Sequence, residues 1–194
     1  MIVAEDNDSP GMIHAIEKAR EKYFFPILHA SQPDINFRKT RALNAAIKIS
    51  KTDYTVSIDG DCLLHPHFLE QRYMLREKNT ALFGRRVMLT EKFSNKILAT
   101  YFLPNLMTIL SALCKRLDAA FYLPFMPTPI ETYSGIWGCN WSIHKNDLYA
   151  VNGFDEDYTS AGIGEDTDIE RRLKKRCTTQ KNKISCYSIS LVSR

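Results

Sequence analysis

Tyr54-Thr55-Val56-Ser57-Ile58-Asp59-Gly60-Asp61 decides how the chain reads: an apolar run carrying β-branched residues stops abruptly at two carboxylates spaced around a glycine. Such a run reads as a buried strand that delivers paired acids to its exposed tip. In open α/β sheets ligands sit outside the carboxyl ends of strands, so Asp59 and Asp61 are placed to hold a metal ion or to do acid–base work. Alone, the pair is equally well explained as a turn, because aspartate and glycine both favour the bend after a strand.

Outward from this stretch, strands and helices alternate. Upstream, residues 1–4 read as a strand ending in Glu5-Asp6-Asn7, and Ser9-Pro10 as a helix start, with Met12, Ile13, Ile16, Ala19 and Tyr23 on one face. Residues 24–29 read as the next strand and Pro33-Asp34 as a loop. Ala42, Leu43, Ala46 and Ile47 then mark a second amphipathic helix, with Arg38, Lys39 and Arg41 in its first turns. Downstream, Pro66 opens a helix running to Leu75, residues 80–89 read as a strand, and 91–117 as a helix broken near Pro104. Residues 135–143 alternate like a strand, 146–151 make a short helix, and 184–192 hold a last strand. This alternation predicts an α/β fold with βαβ units, a mainly parallel twisted sheet and right-handed crossovers.

At 194 residues, 44% of them hydrophobic, the chain is long enough to bury a core, and one domain covering 1–194 is expected. A formal charge of +4 suits a phosphate-bearing ligand, and no basic cluster interleaved with aromatics argues for nucleic acid. Five irregularly spaced cysteines, with no C-x-x-C pair, indicate neither a disulfide framework nor a zinc site and fit a reducing compartment. The first residues lack the basic flank and apolar core of a signal peptide, so a cytoplasmic setting is expected. Residues 97–114 carry no charge and lie between Lys92, Lys96 and Lys115, Arg116. Pro104 and Asn105 argue against spanning; the segment reads as a core helix or as a peripheral contact with the inner face of the membrane.

Two further groups could carry chemistry. Gly162 and Gly164 precede Glu165-Asp166-Thr167-Asp168 at a helix start. Acids there stabilise the helix dipole by about 0.3–1 kcal/mol each, and a carboxylate next to mobile glycines can also approach a substrate hydroxyl as general base. Asp6, at the end of the first strand, shares a sheet edge with Asp59 and can accept hydrogen bonds from a nucleobase. Arg38, Lys39 and Arg41 near that edge can offset phosphate charge, unless they are simply a solvated helix face. His65 and His67 flank Pro66 and read as loop residues. Trp137 and Trp141 share a strand face, suited to core packing or to sugar stacking.

Taken in order, these pieces resemble glycosyltransferase family 2, of GT-A fold, in members with a galactosyltransferase-like C-terminal region. Residues 2–7 are similar to the strand whose terminal Asp contacts the base, here Asp6. Phe37-Arg38-Lys39-Thr40-Arg41-Ala42-Leu43-Asn44 is similar to the basic helix after the nucleotide loop, and Tyr54 to Asp61 to the strand with its D-x-D. Gly138-Cys139-Asn140-Trp141-Ser142-Ile143, Gly153-Phe154-Asp155-Glu156 and Gly164-Glu165-Asp166 are similar to the acceptor-side region. The resemblance implies a Rossmann-like sheet with helices on both faces, a nucleotide-sugar-binding half in 1–90 and an acceptor-side half in 91–194. The family begins one strand earlier, so the chain is expected to lack that first strand and to be truncated at its N-terminus.

The resemblance also implies roles. Asp59 and Asp61 would hold Mn²⁺ or Mg²⁺, with Asp6, Arg38 and Arg41 completing the donor site. Asp166 would be the catalytic base, with Glu165 orienting the acceptor, and Trp137, Asn140 and Trp141 would contact it. The reaction would be metal-dependent, inverting transfer from a nucleotide sugar to a glycan or lipid-linked glycan, of the kind that builds cell-envelope polysaccharide. Two readings compete: a haloacid dehalogenase-type phosphatase with Asp59 as nucleophile, and an inactive nucleotide-sugar- or glycan-binding remnant.

Overall fold

Ile2–Glu5 forms β1, which pairs in parallel with β2, Leu28–Ser31, through the crossover helix α1, Pro10–Lys22. Pro10 suits the first helical position because its missing N–H would have no partner there, and the Met12 and Ile13 amides bond back to the Ser9 carbonyl. The strand expected at 24–29 starts later. Pro26 has no N–H to give to a ladder, and pairing begins past it. The computed structural model describes residues 1–84, 86–100, 130–131, 138–160, 162, 164–181 and 186–188.

Helix α2, Lys39–Ile49, follows, and then β3, Tyr54–Ile58, whose tip carries Asp59-Gly60-Asp61 as a turn into β4, Cys62–Leu64. Helix α3 is Phe68–Met74, starting two residues after Pro66. The strand expected over 80–89 is divided at Gly84 into β5, Thr80–Phe83, and β6, Arg86–Met88, which enter different sheets. Helix α4 is Glu91–Thr100; the rest of the helix expected to 117, and most of the 97–114 segment, lies outside the described residues. The remaining elements are β7 (Ile130–Glu131), β8 (Asn140–His144), α5 (Lys145–Tyr149), α6 (Glu165–Lys174), β9 (Thr178–Lys181) and β10 (Cys186–Ser188).

The main sheet has the order β3-β8-β5-β9-β7, β4-β10-β6 make a second and β1-β2 a third. Asp6 therefore follows a strand of a different sheet from Asp59, rather than sharing its sheet edge as expected. The α/β architecture stands as expected, but the sheet is mixed rather than mainly parallel. β8 enters between β3 and β5 and runs antiparallel to both, with Ile58 opposite Asn140 and Tyr54 opposite His144. Only β5–β9, β6–β10 and β1–β2 are parallel among the described pairs. The physical reason is connectivity. β8 is inserted between β3 and β5 against the direction of both, a pairing set by distant strands that the local pattern of residues 135–143 does not encode.

Alternation along β8 sorts its side chains to two layers. Trp141 and Ile143 face a core built with Ile47 of α2, Ala81 and Phe83 of β5, Leu148 of α5, and Ile169 and Leu173 of α6. Ile143, Leu148, Ile169 and Leu173 have no exposed surface, and each contributes about 1.5–3 kcal/mol by burial. Asn140 and Ser142 point the other way, where Arg72 of α3 bonds both and lies over the Phe68 ring. Helices therefore cover both faces, and the core seats α2 and α6 beside the tip of β3.

Candidate active site

The site grows from three element ends. The first is the turn after β3. Among the described residues its space is open, because a β-carbon at Gly60 would meet no heavy atom of theirs within 4 Å. The Cys62 amide closes the turn onto the Asp59 carbonyl at 3.1 Å, and Asp59 and Asp61 are both half-buried.

The second is the head of α2. Lys39 is its first residue, and its ammonium bonds Asp59 Oδ1 at 3.3 Å. Burial works to lower the Lys39 pKa, but the combined pull of Asp59, Asp166 and Glu165 carries it above the ordinary lysine value. Beside it, Asp6 ties β1 to this helix: one carboxylate oxygen accepts from Gln32 and the other from the Arg38 amide. Each oxygen keeps a further lone pair for a ligand donor. The Arg38 guanidinium turns back to the Pro33 carbonyl, and Arg41 is exposed.

The third end is the head of α6. Gly164 takes φ +66°, a left-handed conformation that strains any residue with a β-carbon, and aims the first turn inward. Glu165, Asp166 and Asp168 crowd that turn, while Arg171, Arg172 and Lys174 occupy the last, so both helix ends match the dipole. Asp166 Oδ2 accepts a 2.8 Å hydrogen bond from the Gly138 amide. Burial raises the Asp166 pKa; the Gly138 N–H and Lys39 oppose that, and Glu165 and Asp59 reinforce it. Asp59 on β3, Lys39 on α2 and Asp166 on α6 thus form one electrostatic unit.

A brace holds these ends in register. Asn44 of α2 receives the Phe154 amide at 2.9 Å and donates to the Phe154 carbonyl at 2.8 Å. Arg172 of α6 grips Asp168 and donates to the Gly153 carbonyl at 2.6 Å. The turn at Gly153, whose φ is +66°, is clamped between the two helices that bear Lys39 and Asp166.

The structure brings Asp59, Asp61, Asp166 and Glu165 to the sheet's end and parts from the acceptor contacts expected on β8. Asn140 is fully buried and bonds Arg72; Trp141 is 2% exposed and packs edge-on to Phe154 with ring centroids 5.8 Å apart. Both are core residues, because alternation in a strand covered on two faces leaves neither side chain an outlet. Trp137 lies outside the described residues. Lys39 as partner of Asp59, and the Gly138 amide as partner of Asp166, were not legible as such, although both lie inside motifs singled out for other reasons.

Among the described residues no group of three or more His, Cys, Asp or Glu could enclose a metal ion. The donor set of Asp59 and Asp61 fits a hard cation that completes its shell with phosphate oxygens and water, and does not fit a closed structural site. The ring centroids of His65 and His67 lie 5.6 Å apart, and His67 bonds Glu70 at 2.9 Å. No helix of the described residues is long and apolar enough to cross a membrane.

An α/β fold of this order, with paired acids at a strand tip and a carboxylate at a facing helix head, defines a GT-A-like protein. The family model for glycosyl transferase family 2 matches residues 1–127, and the chain belongs to that family. A model described as the N-terminal domain of galactosyltransferase matches residues 125–188. Among solved structures, S. aureus TarS 1-349 in complex with UDP-GlcNAc is similar at TM-score 0.67 and 13% identity, covering 100% of this chain and 50% of that one. A second structure, of S. aureus TarS 1-349, gives TM-score 0.65 and 14% identity, covering 97% and 50%. GalNAc-T7 with UDP, GalNAc and Mn²⁺ gives TM-score 0.67 at 8% identity, covering 97% and 37%. The chain spans half or less of the length of these structures. No curated protein matches it.

Proposed function

We propose that the chain is a nucleotide-sugar-dependent glycosyltransferase domain that moves a hexose from a nucleoside diphosphate to a hydroxyl of a glycan or lipid-linked glycan, with inversion at the anomeric carbon. The observation that carries the reading is that Lys39 bonds the strand-tip carboxylate Asp59 while the helix-head carboxylate Asp166 also acts on it electrostatically. Donor-side and acceptor-side groups need to meet in this way if a sugar is to pass between them. Family membership weighs against the haloacid dehalogenase reading.

In this mechanism Asp59 and Asp61 hold Mn²⁺ or Mg²⁺. A cation bound there supplies positive charge against the departing diphosphate. Asp6 accepts hydrogen bonds from the base, and Arg38 and Arg41 face the phosphates, which requires the Arg38 guanidinium to leave the Pro33 carbonyl. Asp166 removes the proton of the acceptor hydroxyl as its oxygen bonds to the anomeric carbon and the bond to diphosphate breaks. Burial strengthens Asp166 as a base, and the Gly138 amide fixes which oxygen faces the acceptor. Glu165 orients the acceptor. The UDP, UDP-GlcNAc and Mn²⁺ of the neighbouring structures support a uridine donor and manganese. The reading includes a cytoplasmic setting, peripheral contact with the inner membrane face through 97–114, and a role in making cell-envelope polysaccharide.

The test is Asp166→Asn assayed against a panel of UDP-sugars with Mn²⁺. Transfer should fall by about 10²–10⁴-fold, while UDP still raises the melting temperature of the variant as it does that of the parent. Undiminished turnover overturns the assignment. UDP binding without transfer or hydrolysis by the parent, under any metal, marks a binding module instead.

A further inference from the structure

Lys39 sits where helix electrostatics disfavour it. It is the first residue of α2, at the positive end of the helix dipole, and no acid occupies that first turn to compensate. Its ammonium nevertheless reaches across to β3 and bonds Asp59 Oδ1. The contact is long: 3.3 Å, against about 2.7–2.9 Å for a strong charge-assisted bond. The two side chains are 32% and 28% exposed, so solvent has access to both. A lysine kept at an unfavourable helix end, in a loose contact with one carboxylate and in the field of two more, is suited to being displaced. It places one positive charge beside a turn whose donor set fits a divalent cation, and two cations cannot share that oxygen without repulsion.

We propose that Lys39 is the resident counter-charge of Asp59, a positioning residue that holds the strand-tip carboxylate beside the α6 head until a divalent cation displaces its ammonium from Oδ1. The inference rests on the reading of Asp59 as a cation ligand. Cation entry is then an exchange rather than an addition, and the affinity of the turn for metal alone is set partly by Lys39. The competing description is an ordinary surface ion pair, which would leave cation affinity untouched.

The experiment titrates Mn²⁺ alone, followed by electron paramagnetic resonance, into the parent, Lys39→Met, Lys39→Arg and Asp59→Asn, with circular dichroism melting to confirm each fold. Lys39→Met should bind Mn²⁺ at least about threefold more tightly than the parent, since the competing charge is gone. Lys39→Arg should return affinity to the parental value, and Asp59→Asn should weaken binding. Equal or weaker Mn²⁺ binding by Lys39→Met overturns the inference, as does tighter binding that Lys39→Arg shares. If neither the parent nor Lys39→Met binds Mn²⁺ and UDP leaves the parent's melting temperature unchanged, the transferase reading falls with it; if both bind alike, only the role of Lys39 falls.

Discussion

Helices α1 and α6 each turn an apolar stripe toward a sheet, yet they are seated very differently. In thirteen residues α1 buries Ile16 alone and leaves Met12 and Ile13 39% and 42% exposed. In ten residues α6 buries Ile169, Glu170 and Leu173. Asp166, the carboxylate proposed as the base, heads the well-seated helix and accepts a hydrogen bond from a backbone amide. The carboxylates suited to an exchangeable ion, Asp59 and Asp61, sit on an open turn. Under the proposed mechanism, packing is densest behind the base and loosest at the turn that would take the cation.

The most forceful way to break this comparison is to remove packing from each helix. Leu173→Ala should cost about 2–5 kcal/mol, because a fully buried leucine leaves a cavity among Phe83, Trp141 and Ile143. Ile13→Ala should cost less, about 1 kcal/mol, because 42% of its surface is already exposed. Urea unfolding measures both, and equal losses would show that α1 is held as firmly as α6.

A subtler perturbation leaves the core alone. A β-carbon at Gly138 would stand 2.7 Å from Asp166 Oδ1 and 3.0 Å from Oδ2, too close for either atom to stay in place. Gly138→Ala should therefore push the carboxylate aside and lower transfer by about a hundredfold, the usual consequence of misplacing a reacting group by about 1 Å. The melting temperature should change little. A variant of normal activity would show that the amide contact is incidental to where Asp166 works.

Much of this arrangement was legible in the residues. β3 delivering Asp59 just past its tip, the Ser9-Pro10 helix start and the acid-first, base-last pattern of α6 are local signals, written within one element and read from it. What stayed hidden is set between elements. Residues 80–89 look like one strand, because nothing in the local pattern tells that Gly84 separates two sheets. Trp141 looks available to a sugar until α2, α5 and α6 are seen to cover that face of β8. Lys39 reads as one of three similar basic residues. Its separation from Arg38 and Arg41 depends on how the head of α2 sits over a strand tip twenty positions away.

The finest test of the comparison is electrical. Burial holds the Asp166 pKa above its ordinary value of 3.8, with the Gly138 amide and Lys39 pulling it back down. A carboxyl with a raised folded-state pKa stabilises the fold below its unfolded value, and that contribution disappears as pH rises through the raised one. For catalysis the sign reverses, since a base must be ionised. The acid limb of the kcat/KM profile should therefore lie above 3.8. Lys39→Met removes a charge that favours the ionised form, so the limb should move to higher pH, by less than the effects above. The profiles of the parent and Lys39→Met check this. If the limb stays in place, the open turn and the rigid helix head are electrically independent; if it moves, the lysine that holds Asp59 also sets the strength of the base.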